Sequence, residues 1–230
     1  MDEKVANYLG DPQPKLLRST RKTLKFLRGA YSAGVPGMMS KPSTDLLANS
    51  GGFSFHYGCP NPALRDIASW ILTSGQEKPR RIAKLIPALW KRHGQEDLVV
   101  VGLLLANMSE EELGVSPWMA LIHMFGEQEP LGALLEIGEE MKRGGHEIPD
   151  DAWLAAMAGQ SRLWHQVAVL FASLRTEGAG EIRGLITTAP AGGELFERIR
   201  NRLLSQENWS PFCSSAVAWP CGSYLRKTLL

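Results

Sequence analysis

In the segment 161–174, SRLWHQVAVLFASL, the apolar positions have the spacing of a helix with one broad buried side. Arg162 and Gln166 fall on the opposite side from the apolar residues, which are Trp164, Val167, Ala168, Leu170, Phe171 and Leu174. A single helix cannot bury such a face alone. The chain is therefore expected to be built from helices that pack against one another.

The same periodicity predicts helices along most of the chain. They span residues 13–29, 61–73, 79–92, 96–107, 116–126, 129–143, 152–158, 161–174, 181–188, 194–204 and 209–227. Residues 30–60 contain eight glycines and prolines, which break any long period and predict a long loop with a short helix at 43–48. No segment shows the alternation of a strand, so the predicted fold class is all-α.

Helix ends are marked by capping and breaking residues. Ser109, Ser116 and Asp150 stand where a side chain can cap the helix that follows. Gly29 is placed to end the first basic helix. Pro87 lies inside the predicted helix at 79–92 and is expected to bend it, because proline removes a backbone donor.

Successive helices pair into units of about 40 residues, which is the size of HEAT repeats. Residues 79–90 pair with 96–107, and residues 116–125 pair with 129–141. We therefore expect a HEAT-like α-α superhelix, a right-handed solenoid, over residues 56–230, preceded by a basic helix and a Gly/Pro-rich loop in residues 1–55. A globular helical bundle is the alternative.

Composition restricts the class of protein. No run of about 18 apolar residues predicts a membrane span. The opening residues MDEKVANYLG lack the layout of a secretory signal, and three cysteines do not suggest a disulfide framework. We expect a cytoplasmic protein, a monomer, without a cofactor.

Charge is distributed very unevenly along the chain. Residues 1–93 carry 15 Lys and Arg against 6 Asp and Glu, whereas residues 94–181 carry 4 against 15. The basic set is the best electrostatic case for DNA: Lys15, Arg18, Arg21, Lys22, Lys25, Arg28, Arg80, Arg81, Lys84, Lys91 and Arg92. The acidic residues 94–181 suit a protein partner with a basic face. The simplest interpretation of the basic and the acidic segment is that each presents solvated helix faces.

Four segments occur in a suggestive order: YGCPNPALR at 57–65, LW at 89–90 before a buried helix, LWHQVAVLF at 163–171 and AVAW at 216–219. Each is similar to a motif of the AlkD-like DNA alkylation-repair family, whose members are HEAT-like superhelices. The resemblance covers roughly residues 55–230. It implies a concave DNA-facing surface and, in active members, excision of cationic alkylated bases with a carboxylate, aromatic rings and an arginine.

The chain departs from that pattern at most of the positions that would carry the chemistry. The carboxylate position falls on Gly132, the preceding aromatic position on Gln128 and the central arginine position on Val167. Trp219 matches the late tryptophan of the family. Glu127 and Glu129 are the weak candidates for a substitute acid.

The remaining candidates have structural alternatives. Residues expected to contact DNA are Trp219, Trp164, His165, Gln166, Arg65, Lys91 and Arg92, although tryptophans at helical spacing also suit a core. His56 and Cys59 lack a second ligand pair, so no metal site is expected. The leading hypothesis is a DNA-binding relative of alkylation-repair glycosylases. The alternative is a non-enzymatic helical scaffold that binds another protein.

Overall fold

A computed structural model describes residues 3–36, 45–46, 48–49, 51–126, 129–175 and 182–205. Within these ranges the chain is helical, and its only β pairing is an isolated bridge between Phe55 and Gly94, so the all-α prediction is confirmed. A 3-10 helix at Leu16–Arg18 precedes α2. The α-helices are α1 Glu3–Leu9, α2 Thr20–Gly34, α3 Asn61–Gly75, α4 Arg80–Arg92, α5 Gln95–Ala106, α6 Glu110–Leu113, α7 Pro117–Ile122, α8 Leu131–Arg143, α9 Asp151–Ala158, α10 Arg162–Ala172, α11 Arg183–Thr188 and α12 Glu194–Ser205.

Helix α5 lies at the centre of the packing. It contacts α3, α4, α7 and α8, and α8 in turn packs on α10, which contacts α9, α11 and α12. Nearly every side chain of α5 is buried, as its continuous apolar stretch LVVVGLLLA requires. Helices α1 and α2 pack on α3. Residues from the predicted N-terminal segment, 1–55, therefore share one buried core with residues from the predicted repeat segment, 56–230.

Helices α5, α8 and α10 run in the same direction. Gly102 of α5 lies against Ile137 of α8, and Ala106 at the end of α5 lies against Gly144 after α8. Gly138 in the second half of α8 lies against Phe171 near the end of α10, and Leu131 at the start of α8 lines one cavity with Arg162 and Leu163 at the start of α10. The starts of these helices are therefore on one side of the molecule and their ends on the other.

The caps predicted at Ser109, Ser116 and Asp150 are confirmed, and Ser161 adds one that was not predicted. Ser109 and Glu112 form a complete capping box at α6, and the side chains of Ser116, Asp150 and Ser161 accept the backbone N–H three residues on. These bonds satisfy donors that the first turn of a helix leaves without partners.

The prediction that the basic helix ends at Gly29 is wrong, because α2 continues to Gly34. A Cβ built on Gly29 would lie 1.9 Å from the hydroxyl of Tyr8. Glycine at this position leaves room for the side chain of Tyr8, which lies across α2. Helix α1 was not predicted from the sequence. Pro87 lies inside α4, as predicted, and the helix continues past it to Arg92.

Two predicted elements fall wholly or partly outside the described residues. These are the last helix, at 209–227, and the short helix at 43–48. No helix among the described residues is long and apolar enough to cross a membrane.

Replacing Gly144 with alanine is expected to lower the free energy of unfolding by about 1–3 kcal/mol, because close contact with backbone leaves little room to adjust. The new Cβ would lie 2.1 Å from the carbonyl oxygen of Ala106. Gly184→Ala is the matched control, since a Cβ there meets no atom within 4 Å and should not destabilise the helix. Urea unfolding of both variants checks the prediction, and equal stabilities would contradict it.

Candidate functional site

The basic face is a set of nine exposed lysines and arginines on the 3-10 helix, α2 and α4 and in the residues before them. Helices α2 and α4 contain no acidic residue. On α4, Arg80, Lys84 and Lys91 recur along one side over about 16 Å, the length of about five base-pair steps. The complete basic face is Lys15, Arg18, Arg21, Lys22, Lys25, Arg28, Arg80, Lys84 and Lys91.

Helix α4 lies alongside residues 14–28, which brings the two sets of cations onto neighbouring helices. Arg81 Nη1 donates to the carbonyl of Pro14 at 3.2 Å, and Arg92 Nη1 donates to the carbonyl of Leu24 at 2.5 Å. None of the nine cations forms an ion pair with any residue in the described ranges. Their charges are therefore available to an anionic partner.

Arg92 does not belong to the basic face, because its side chain is only 11% exposed. Its Nε donates to Asp97 Oδ2 at 2.6 Å, and the hydroxyl of Tyr31 donates to Asp97 Oδ1 at 3.0 Å. Burial lowers the pKa of Arg92, but the hydrogen bond and charge of Asp97 outweigh that effect and leave this pKa raised. Burial and then the charge of Asp97 raise the pKa of Tyr31 well above its ordinary value. Arg92 thus holds α2, α4 and α5 together, and its contact with DNA stays a prediction that would require these bonds to break.

A second buried carboxylate, Glu96, fastens the segment before α3 to the start of α5. Its Oε1 accepts the backbone N–H groups of Tyr57, Gly58 and Cys59 at 2.7, 2.9 and 3.3 Å. His56 Nδ1 lies 3.3 Å from the same oxygen. Consecutive N–H groups that converge on one anion form a nest. Sequence reasoning missed this role, because nothing local marks a buried glutamate.

Glu129 is buried in a cluster of aromatic side chains. Its side chain is 3% exposed, and its Oε1 accepts the indole N–H of Trp90 at 3.3 Å and the backbone N–H of Gly126 at 2.7 Å. Its Oε2 has no hydrogen-bond partner among the described residues and lies 3.8 Å from Nε2 of His93. His93 ends α4 with a φ of 56°, a left-handed conformation that a residue other than glycine rarely adopts.

Three aromatic rings extend from Glu129 to Trp164, a residue that the sequence analysis had proposed to contact DNA. The ring of Phe125 stacks on Trp90 at 5.9 Å and meets Trp164 edge-on at 5.5 Å. We call Trp90, His93, Phe125, Glu129 and Trp164 the carboxylate cluster. The cluster meets a cavity of about 540 Å³ through Glu129, and the four ring residues do not line this cavity. Its lining is Glu129, Leu131, Arg162, Leu163, Gln166, Ala191, Gly192 and Gly193.

Three other candidates form contacts within the protein. His165 Nε2 lies 2.8 Å from the carbonyl of Leu185, and Gln166 donates to the carbonyl of Ala191 at 2.8 Å. Both side chains hold the segment after α10, and Gln166 is buried. Arg65 is exposed and pairs with Glu140. Their contact with DNA stays a prediction that would require these bonds to break.

The positions that depart from the family pattern can be located in part. Val167 is fully buried, and Gly132 lies on the wall of a groove beside α8. Glu127, Gln128 and Trp219 lie outside the described residues. Lys91 lies on the basic face, and Glu129 is the candidate acid whose surroundings are defined.

Within the described ranges no group of three or more His, Cys, Asp or Glu side chains is placed to hold a metal ion. A scan against protein-family models, a search of curated proteins and a search of solved structures each found no match. The function of this chain must therefore be argued from its own side chains.

Proposed function

We propose that this protein binds the phosphate backbone of duplex DNA through the basic face. The observation that carries the proposal is the concentration of nine exposed cations on neighbouring helices. Helices α2 and α4 contain no acidic residue, and none of the nine cations forms an ion pair with a described residue. Binding that relies on several such cations is driven by release of counterions and does not depend on base sequence.

The order in which the helices pack supports a right-handed HEAT-like superhelix, which we propose together with this function. Helices α3, α5, α8 and α10 pack one after another, as the repeats of a right-handed HEAT-like superhelix do. Such a solenoid presents an extended surface to an extended partner. The resemblance to AlkD-like alkylation-repair proteins remains part of this proposal.

A titration of labelled duplex DNA at about 50 mM and about 200 mM salt tests the proposal. If six or more cations contact phosphates, affinity should fall by about 1,000-fold or more between the two conditions. No binding at the lower concentration would contradict the proposal and favour the protein scaffold.

Two matched double variants locate the binding surface. Arg21→Gln/Lys84→Gln removes two cations from the basic face, and Arg198→Gln/Arg202→Gln removes two exposed cations from α12. The first should reduce the slope of log affinity against log salt by about 1.8, at about 0.9 per lost phosphate contact. The second should leave the slope nearly unchanged. Equal reductions would place binding elsewhere.

The carboxylate cluster supports a second candidate function, the excision of cationic alkylated purines. A carboxylate can stabilise positive charge that develops on a sugar, and aromatic rings attract a cationic base. Glu129 has a buried oxygen without a hydrogen-bond partner in the described structure, lies beside Trp90 and borders a cavity. Release of methylated purines from alkylated duplex DNA tests this candidate.

A further inference from the structure

A groove of about 650 Å³ lies between α3, α5 and α8, and none of the nine cations of the basic face lines it. Its partly exposed apolar side chains include Phe53, Val99 of α5 and Leu131 of α8. We call this the α5–α8 groove. A ligand that lies along the groove would bury the apolar surface of these side chains.

Only some of the carboxylates in the groove have a cationic partner. Arg65 and Arg143 both donate to Oε1 of Glu140, so that carboxylate faces two cations. Glu136 and Glu139 line the same groove, and neither forms an ion pair with a described residue. Two carboxylates of the groove are therefore left with uncompensated negative charge.

The three glutamates repel one another along α8. Glu136 lies three and four residues before Glu139 and Glu140, so all three lie on one side of the helix. Burial raises the pKa of Glu136, and the charges of Glu139 and Glu140 raise it further. A cation placed between these carboxylates would relieve this repulsion.

A polar atom in the groove also lacks a partner. Oε1 of Gln95, at the start of α5, is buried and accepts no hydrogen bond from a described residue. Buried acceptors are normally satisfied, because leaving one without a donor costs about as much as a lost hydrogen bond. Gln95 lines the groove, so a small turn of its side chain would present this acceptor to a ligand that supplies an N–H or an ammonium group.

We propose that the α5–α8 groove is a docking site for a segment of another protein that carries lysine or arginine beside apolar side chains. Its charge is complementary to Glu136 and Glu139, and its apolar side chains would cover Val99 and Leu131. The two unpaired carboxylates repel phosphate, and Arg65 and Arg143 are paired with Glu140, so the groove favours a cationic segment over DNA. The proposal is independent of DNA binding by the basic face.

Fluorescence anisotropy with a short labelled peptide, in which lysines and leucines recur at helical spacing, tests the proposal at about 150 mM salt. Saturable binding is expected, with affinity reduced about tenfold or more by Glu136→Gln/Glu139→Gln. The matched control, Glu110→Gln/Glu111→Gln, removes two exposed carboxylates from α6 and should change the affinity less than about twofold.

Two further peptides separate the contributions of charge and apolar contact. Replacing the lysines with glutamates should abolish binding, and replacing the leucines with serines should weaken it about tenfold or more. Absence of saturable binding by the first peptide would overturn the proposal. An equal loss in both double variants would overturn it too, because attraction would then come from the overall charge of the protein. Circular dichroism establishes that each variant remains folded.

Discussion

Replacing Asp97 with alanine should lower the free energy of unfolding by about 3–5 kcal/mol, because the guanidinium of Arg92 would lose its buried partner. Asp97 is fully buried, and Arg92 donates to it through Nε and Nη2 while Tyr31 donates through its hydroxyl. Arg92 also bonds the carbonyl of Leu24. Loss of Asp97 therefore weakens the junction of α2, α4 and α5. Urea unfolding at neutral pH measures the change.

Two comparisons give this prediction its specificity. Glu111→Ala removes an exposed carboxylate and should change stability by less than about 0.5 kcal/mol. The triple variant Tyr31→Phe/Arg92→Met/Asp97→Leu removes the whole polar network and should lose less stability than Asp97→Ala, because no buried charge is left unpaired. A loss below about 1 kcal/mol for Asp97→Ala would contradict a stabilising role for the network.

Changing Glu129 to glutamine should reduce release of methylated purines by about 100-fold or more, which is the usual effect of removing one electrostatic group from an active site. Glutamine keeps an oxygen that can accept from Trp90 and Gly126, so the fold should be retained. High-performance chromatography of bases released from alkylated duplex DNA measures the rate.

Glu136→Gln makes the same chemical change on α8 in the α5–α8 groove and should leave purine release unchanged. Undiminished release by Glu129→Gln would exclude Glu129 as the acid. If the unaltered protein releases no purine, the enzymatic candidate fails while DNA binding can still stand. Glu129→Ala is less informative, because it leaves the indole N–H of Trp90 and the backbone N–H of Gly126 without their acceptor.

Local sequence signals predicted the helices well where they were strong. The caps at Ser109, Ser116 and Asp150 depend on residues within one turn, and each is present. Helix α1 was missed because its seven residues bury only Val5 and Leu9, too few to reveal a period. Gly29 was misread as a helix end, because the side chain that lies against it, Tyr8, belongs to another helix and leaves no local signal.

The surroundings of the candidate site depend on distant residues and were harder to predict. Glu129 was selected for its type, but its partner Trp90 lies 39 residues earlier in the chain. Arg92 was expected to meet DNA, yet the turn between α4 and α5 brings Asp97 back to it and buries both. The net charge of a segment indicates a class of partner, but it cannot show which cations the fold leaves exposed.

Lysine labelling in the presence of duplex DNA tests the central claim most directly. A water-soluble acylating reagent, followed by mass spectrometry, reports the reactivity of each lysine with and without DNA at low salt. Lys22, Lys25, Lys84 and Lys91 should be protected, whereas Lys142 on α8 should react equally in both samples. Protection of Lys142 with no change at the four lysines of the basic face would contradict the account.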